Sequence, residues 1–232
     1  KTSGQTTRQY VTGIMQFFND CRLKIDVRYV TRALPKTTRT KIESWTREEI
    51  QQMLKTTMGK KLRWKALILT LASSGMRREG LTNLQFKDLK PVEDLYEITV
   101  YAGEPEEYTT YCTPEARKAI DEYLDDRRKG KSYMTFVNEE DGSRKKVMKQ
   151  KKPEKIVKDT QVFTFETKVS NEPWSPHVLS VTFVELVQKA GLYGQKNKSL
   201  LHSFRHTFQT ALTNAKVIGQ DGQTYPEFLI NA

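Results

Sequence analysis

The stretch that most limits what this chain can become is LYEITVY, Leu95–Tyr101. β-branched and aromatic residues crowd it and a turn bounds it, which is the composition of a strand. YTTYC, Tyr108–Cys112, repeats the signal, so AGEPEE, Ala102–Glu107, reads as the loop of a β-hairpin. On either side the periodicity is helical. TREE, Thr46–Glu49, is a capping box that opens one helix. A second, over Lys61–Ser73, carries the apolar run ALILTLA and stops at Gly75. Thr113 with Pro114 caps a third that runs to about Arg128, and Ser175, Pro176 and Gly191 bound a fourth. A fifth amphipathic helix contains Leu200–Ala215. A hairpin set among helices predicts a mainly α domain with small β-hairpins, of the α+β class.

A second hairpin is expected where YMTFV and SRKKVM flank NEEDG, an Asp-Gly turn signal. It leads into KQKKPEKIVK, so Lys145, Lys146, Lys149, Lys151, Lys152, Lys155 and Lys158 cluster. Such a run is either a solvated face or a surface for phosphates, where each neutralising lysine releases counterions. At the other end, Tyr10, Ile14, Phe17 and Phe18 recur at helical spacing, and a short helical segment over Asp26–Leu34 precedes Pro35. Two helices are too few to bury a core, so residues 1–34 are expected to be the end of a domain that begins before Lys1. Residues 35–45, which include the polar stretch PKTTRTKIES, read as a linker, and 46–232 as a second domain.

Lys plus Arg outnumber Asp plus Glu by 39 to 28, a net charge of +11 and a pI near 9.5. That surplus points to a polyanionic partner, nucleic acid before an anionic membrane surface, against the plain alternative of a basic protein with no such partner. Cys21 and Cys112 match no metal spacing, which favours a reducing, cytoplasmic setting over a disulfide scaffold. No apolar run approaches the roughly 20 residues of a membrane span.

LLHSFRHTFQTALTNA, Leu200–Ala215, holds two of the chain's three histidines. His202, Arg205 and His206 stand at i, i+3 and i+4, on one helical face. A buried polar trio is the plain reading. A zinc site would use His202 and His206, but Ser203 stands where a His-Glu-x-x-His motif needs its glutamate, and His177 is remote. An anion site uses the arginine fork to hold two phosphate oxygens with a histidine beside it. SSGMRREGLTNLQFKDL supplies Arg77 and Arg78 just after Gly75, and two arginines on one phosphate stabilise the extra charge of a phosphoryl-transfer transition state.

Taken together, these two motifs resemble the tyrosine recombinase (phage integrase) family, in particular integrases of archaeal mobile elements. The resemblance implies a catalytic domain preceded by a helical core-binding domain, the two closing on double-stranded DNA as a clamp. It makes Arg77 the first catalytic arginine and His202 and Arg205 the His-x-x-Arg pair, with His206 in support. The implied reaction is strand exchange. A tyrosine attacks the scissile phosphate to form a 3′-phosphotyrosyl link, and the freed 5′-hydroxyl then attacks a partner strand, without metal or cofactor. The resemblance also implies a homo-tetramer on paired sites and a nucleoid-associated protein.

Three departures from the family pattern set further expectations. Gly80 stands where the family carries an acid three residues after the first arginine, and Glu79 is expected to orient Arg77 from a face about 100° away. The loop Ala102–Glu107 has no lysine to protonate the leaving oxygen, so Lys145 or Lys146 reaches in, or acid catalysis is weak. The nucleophile is expected beyond Ala232. Tyr225, which precedes Pro226 and suits a turn, is the lesser candidate. A decayed DNA-binding regulator, a type IB topoisomerase and a His202–His206 metal hydrolase are the rival readings.

Overall fold

The computed structural model describes residues 4–35, 43–138, 144–166, 171–194, 200–218 and 224–226. The chain divides into two units, Lys1–Lys41 and Ile42–Ala232. The first contains α1 (Gly4–Asp20) and α2 (Val27–Ala33). Asp26 caps α2, its carboxylate accepting from the amides of Arg28 and Tyr29. Neither helix buries a residue; Tyr10, Ile14 and Phe17 of α1 are exposed.

The second unit is built around α4 (Leu62–Ser74), which follows α3 (Arg47–Lys55). Thr46 and Glu49 form the capping box of α3, with Thr46 N donating to the Glu49 carboxylate at 2.8 Å. Trp64, Ala66, Leu67, Ile68, Thr70, Leu71 and Ser74 of α4 are all buried. So wide an apolar surface needs partners on several sides, and α4 finds them in α3, α6 (Pro114–Lys129), α8 (His202–Asn214) and β3 (Tyr108–Cys112). An aromatic chain joins the layers: Trp64 meets Trp174 at 5.7 Å and Phe183 at 6.3 Å, Phe183 meets Phe204 at 5.8 Å, and Phe204 meets Trp45 at 6.2 Å between ring centroids. Phe183 lies on α7 (Pro176–Lys189).

The expected hairpin is the larger part of a three-stranded antiparallel sheet in the order β1 (Leu89–Val92), β2 (Leu95–Val100), β3. Its register pairs Ile98 with Thr110 and Ile98 with Leu89. Tyr96, Ile98 and Val100 face the core in the alternation the sequence carries. Three two-stranded sheets accompany it: β4 (Lys131–Asn138) with β5 (Arg144–Lys151), β6 (Thr164–Glu166) with β7 (Asn171–Pro173), and β8 (Lys216–Ile218) with β9 (Thr224–Pro226). The sequence reading expects one or two hairpins. It misses β1 and the short pairs because strands of three or four residues, one of them interrupted by Pro91, carry no readable alternation. Most of the turn expected at NEEDG lies outside the described residues.

Trp45, assigned to the linker by sequence, belongs to the second unit. It is 2% exposed, its indole N–H donates to the Leu200 carbonyl at 2.8 Å, and its amide donates to the Thr207 hydroxyl at 2.8 Å. A domain boundary drawn at the first helix cap overlooks an extended residue that packs on a helix far along the chain.

Candidate phosphate-binding site

The site starts from the end of α4. Gly75 takes φ +61°, and a Cβ there would sit 2.3 Å from the Phe208 ring, so only glycine closes the helix this way against α8. The chain then turns so that Arg77 becomes the N-cap of α5 (Arg78–Asn83). The Gly75 carbonyl accepts from Arg205 Nη1 at 3.1 Å. One residue therefore launches the first arginine and holds the second.

Helix α8 sorts its residues by face. Ser203 and Phe204 are buried, while Thr207 donates back to the Trp45 carbonyl at 3.0 Å. That leaves His202 exposed and Arg205 and His206 half-buried. The two imidazoles meet edge to face, 5.0 Å apart. The His206 Nε2 is buried with no hydrogen-bond partner among the described residues. Burial, then the nearby His206, Arg205 and Arg77, holds His202 below the ordinary histidine range. It is the neutral imidazole that stands beside the two arginines near neutral pH.

Arg77 is exposed, and among the described residues its side chain makes no hydrogen bond or ion pair. It borders an open cleft of about 520 Å³, lined also by Arg78, Glu79, Ser180, Leu201 and His202. Arg205 borders a separate groove that Gly75, Tyr108 and Phe208 also line. A free arginine, a tethered arginine and an uncharged histidine make a ready receptor for a phosphate, whose negative charge would relieve the repulsion among them.

Glu79 differs from expectation: its carboxylate accepts from Arg78 Nη2 at 2.8 Å rather than from Arg77. The glycine at position 80 also has a physical cause. A Cβ there would stand 2.5 Å from Val100 Cγ1, so the close packing of α5 on β2 leaves no room for an acidic side chain. The loop Ala102–Glu107 is closed on itself, with the Gly103 amide donating to the Glu107 carboxylate at 2.6 Å. Lys145, Lys146, Lys149 and Lys151 lie on β5, opposite Val137, Phe136, Tyr133 and Lys131, with Lys152 just beyond. Lys149 and Lys152 are exposed. Tyr225, expected in a turn, is on β9 opposite Val217. Among the described residues no group of three His, Cys, Asp or Glu could hold a metal. No helix among them is long and apolar enough to cross a membrane.

Two contacts at the site are absent from the sequence expectations. Arg78 donates to Ser180 Oγ at 2.9 Å, joining α5 to α7 across the cleft. Trp45 joins the start of the domain to α8. The first had a signal in the doubled arginine; the second had none.

The helical domain with its three-stranded sheet has the fold of tyrosine recombinase catalytic domains. Similar solved structures are the XerA recombinase (20% identity, 92% of this chain, 64% of that one, TM-score 0.53), the XerH site-specific recombinase bound to difH substrate in a pre-cleavage complex (18%, 90%, 55%, 0.55) and the Tn1549 transposon integrase in complex with a circular intermediate DNA (16%, 88%, 63%, 0.56). The chain thus spans between 55% and 64% of the length of these proteins. The model of the phage integrase family matches residues 43–218, and the chain belongs to that family. No curated protein matches it.

Proposed function

We propose that this chain acts in site-specific DNA recombination, gripping a scissile phosphate of double-stranded DNA between Arg77, Arg205 and His202. The observation that carries this reading is Arg77, whose side chain has no hydrogen-bond or ion-pair partner among the described residues, in one cleft with His202, with Arg205 anchored on the Gly75 carbonyl. The arginines neutralise the two non-bridging oxygens, and the charge gathered in the transition state strengthens those contacts. A tyrosine hydroxyl bonds to phosphorus while the bond to the 5′-oxygen breaks, giving a 3′-phosphotyrosyl link. The tyrosine proton passes to His202 and the departing 5′-oxygen takes up a proton from solvent, and attack by a 5′-hydroxyl reverses the step on a new strand. The neutral His202 accepts a proton in one direction and returns it in the other, with His206 stacked against its edge. Lysines of β5 hold flanking phosphates, and four copies assemble on paired sites.

A nicked suicide duplex tests the reading. A covalent adduct formed by this chain and abolished by Tyr225→Phe makes Tyr225 the nucleophile. An adduct that needs residues following Ala232 supplies it from there. No adduct in either case overturns recombination and favours a DNA-binding regulator. One observation speaks for that second reading: the β2–β3 loop carries Glu104, Glu106 and Glu107 and no lysine.

A further inference from the structure

The cleft beside Arg77 contains a second arginine that the phosphate grip leaves unused. We propose that Arg78 is a second phosphate subsite, which takes the phosphate next to the one held by Arg77 and releases Glu79 as it does so. The inference rests on the reading of this cleft as a DNA-phosphate site.

Arg78 is aimed. Its Nη1 donates to Ser180 Oγ at 2.9 Å, and that hydroxyl in turn donates to the Pro176 carbonyl at 3.0 Å, so the acceptor on α7 is itself oriented. The guanidinium is thereby held against one wall of the cleft that Arg77 and His202 also line. Of its five donors, one faces Ser180 and one faces Glu79, and Nε is buried without a partner among the described residues. Arg78 is thus a tethered cation with spare donors, next in sequence to an untethered one. Consecutive Cα atoms are about 3.8 Å apart, which lets both side chains serve one strand.

Glu79 is a placeholder rather than a fixed partner. The Arg78–Glu79 pair is well exposed, at 39% and 54% of the two side chains. Exposed ion pairs of neighbouring residues contribute little to stability, whereas arginine and phosphate form charge-assisted, two-pronged contacts. A phosphate entering the cleft displaces the carboxylate, which swings into water. Until then Glu79 screens the guanidinium and lowers the affinity of the cleft for anions.

The test is binding of the chain to a fluorescein-labelled duplex of arbitrary sequence across a salt series, with thermal melts as the control for folding. Arg77→Ala and Arg78→Gln are each expected to reduce the slope of log K against log salt by about 0.9, one phosphate's share. Arg78→Lys is expected to keep the slope but bind more weakly, because it keeps the charge and loses the fork. Glu79→Gln is expected to tighten binding several-fold at low salt with an unchanged melting temperature. If Arg78→Gln leaves the slope intact, or Glu79→Gln leaves affinity unchanged, Arg78 is only a tie between α5 and α7 and the subsite is refuted. If Arg77→Ala also leaves the slope intact, the phosphate reading of the cleft fails with it.

Discussion

At the scale of single residues the site is governed by charge held without compensation. Among the described residues the Arg77 side chain has no hydrogen-bond or ion-pair partner, and Arg205 donates to a carbonyl rather than a carboxylate. His202 feels both, together with His206. Its imidazole is expected to titrate below 6.5 in the free protein and to move upward when duplex DNA is added, as followed by NMR of the ring protons. The sign follows from the direction of the shift. With the folded pKa depressed, the unfolded chain binds the proton more readily, so stability is full above 6.5 and declines as pH falls toward the folded value. Arg77→Ala is expected to leave the melting temperature nearly unchanged, within about 0.5 kcal/mol, because its exposed side chain makes no hydrogen bond or ion pair among the described residues. Arg205→Ala removes a contact between α8 and the end of α4 and is expected to lower both stability and DNA binding. A motif search finds these three residues by type and spacing, and most of the site was legible in that way. That Glu79 pairs with Arg78 was not, since one helical step decides which neighbour a carboxylate reaches.

At the scale of elements the same positions depend on two close approaches. Gly75 ends α4 in the left-handed region against Phe208, and Gly80 lets α5 lie on Val100 of β2. Gly80→Ala forces a contact of 2.5 Å with a branched side chain and is expected to cost about 1–3 kcal/mol, read as a shift in the denaturation midpoint. Gly75→Ala adds backbone strain to a clash with the Phe208 ring and is expected to do more harm, displacing the carbonyl that holds Arg205. The glycine that stops an apolar helix was legible; the glycine at position 80, a departure from the family pattern, is accounted for only by β2 packed against it. The sheet joins the helices in a similar way. Tyr96 on β2 donates to the Asp121 carboxylate on α6 at 2.6 Å, and burial followed by that bond pushes its phenol up to about 12.

At the scale of the whole second unit, segments distant in sequence are tied by a few buried polar links. Arg127, with 3% of its side chain exposed, reaches from the last turn of α6 to the Glu154 carboxylate and to the carbonyls of Gln161 and Val162 at 2.8 and 2.7 Å. Arg127→Ala removes the buried cation from that carboxylate and from two carbonyls and is expected to destabilise the protein by about 3 kcal/mol in chemical denaturation. Trp45 performs the same service at the start of the unit, joining it to Thr207 of α8 and to the Leu200 carbonyl just before that helix. Neither link has a local signature, because its partners lie 27 and 155 or more residues away. Local chemistry is what a sequence can determine alone. Here that was the longer helices with the Thr46 and Thr113 caps, the central hairpin, the basic surplus, and residue types with the chemistry to hold a phosphate. Which of those residues share a cleft, which carboxylate faces which arginine, and why position 80 must be glycine were decided by tertiary packing. The physical reason is that hydrogen bonds and van der Waals contacts act over a few ångströms of space, whatever the separation along the chain.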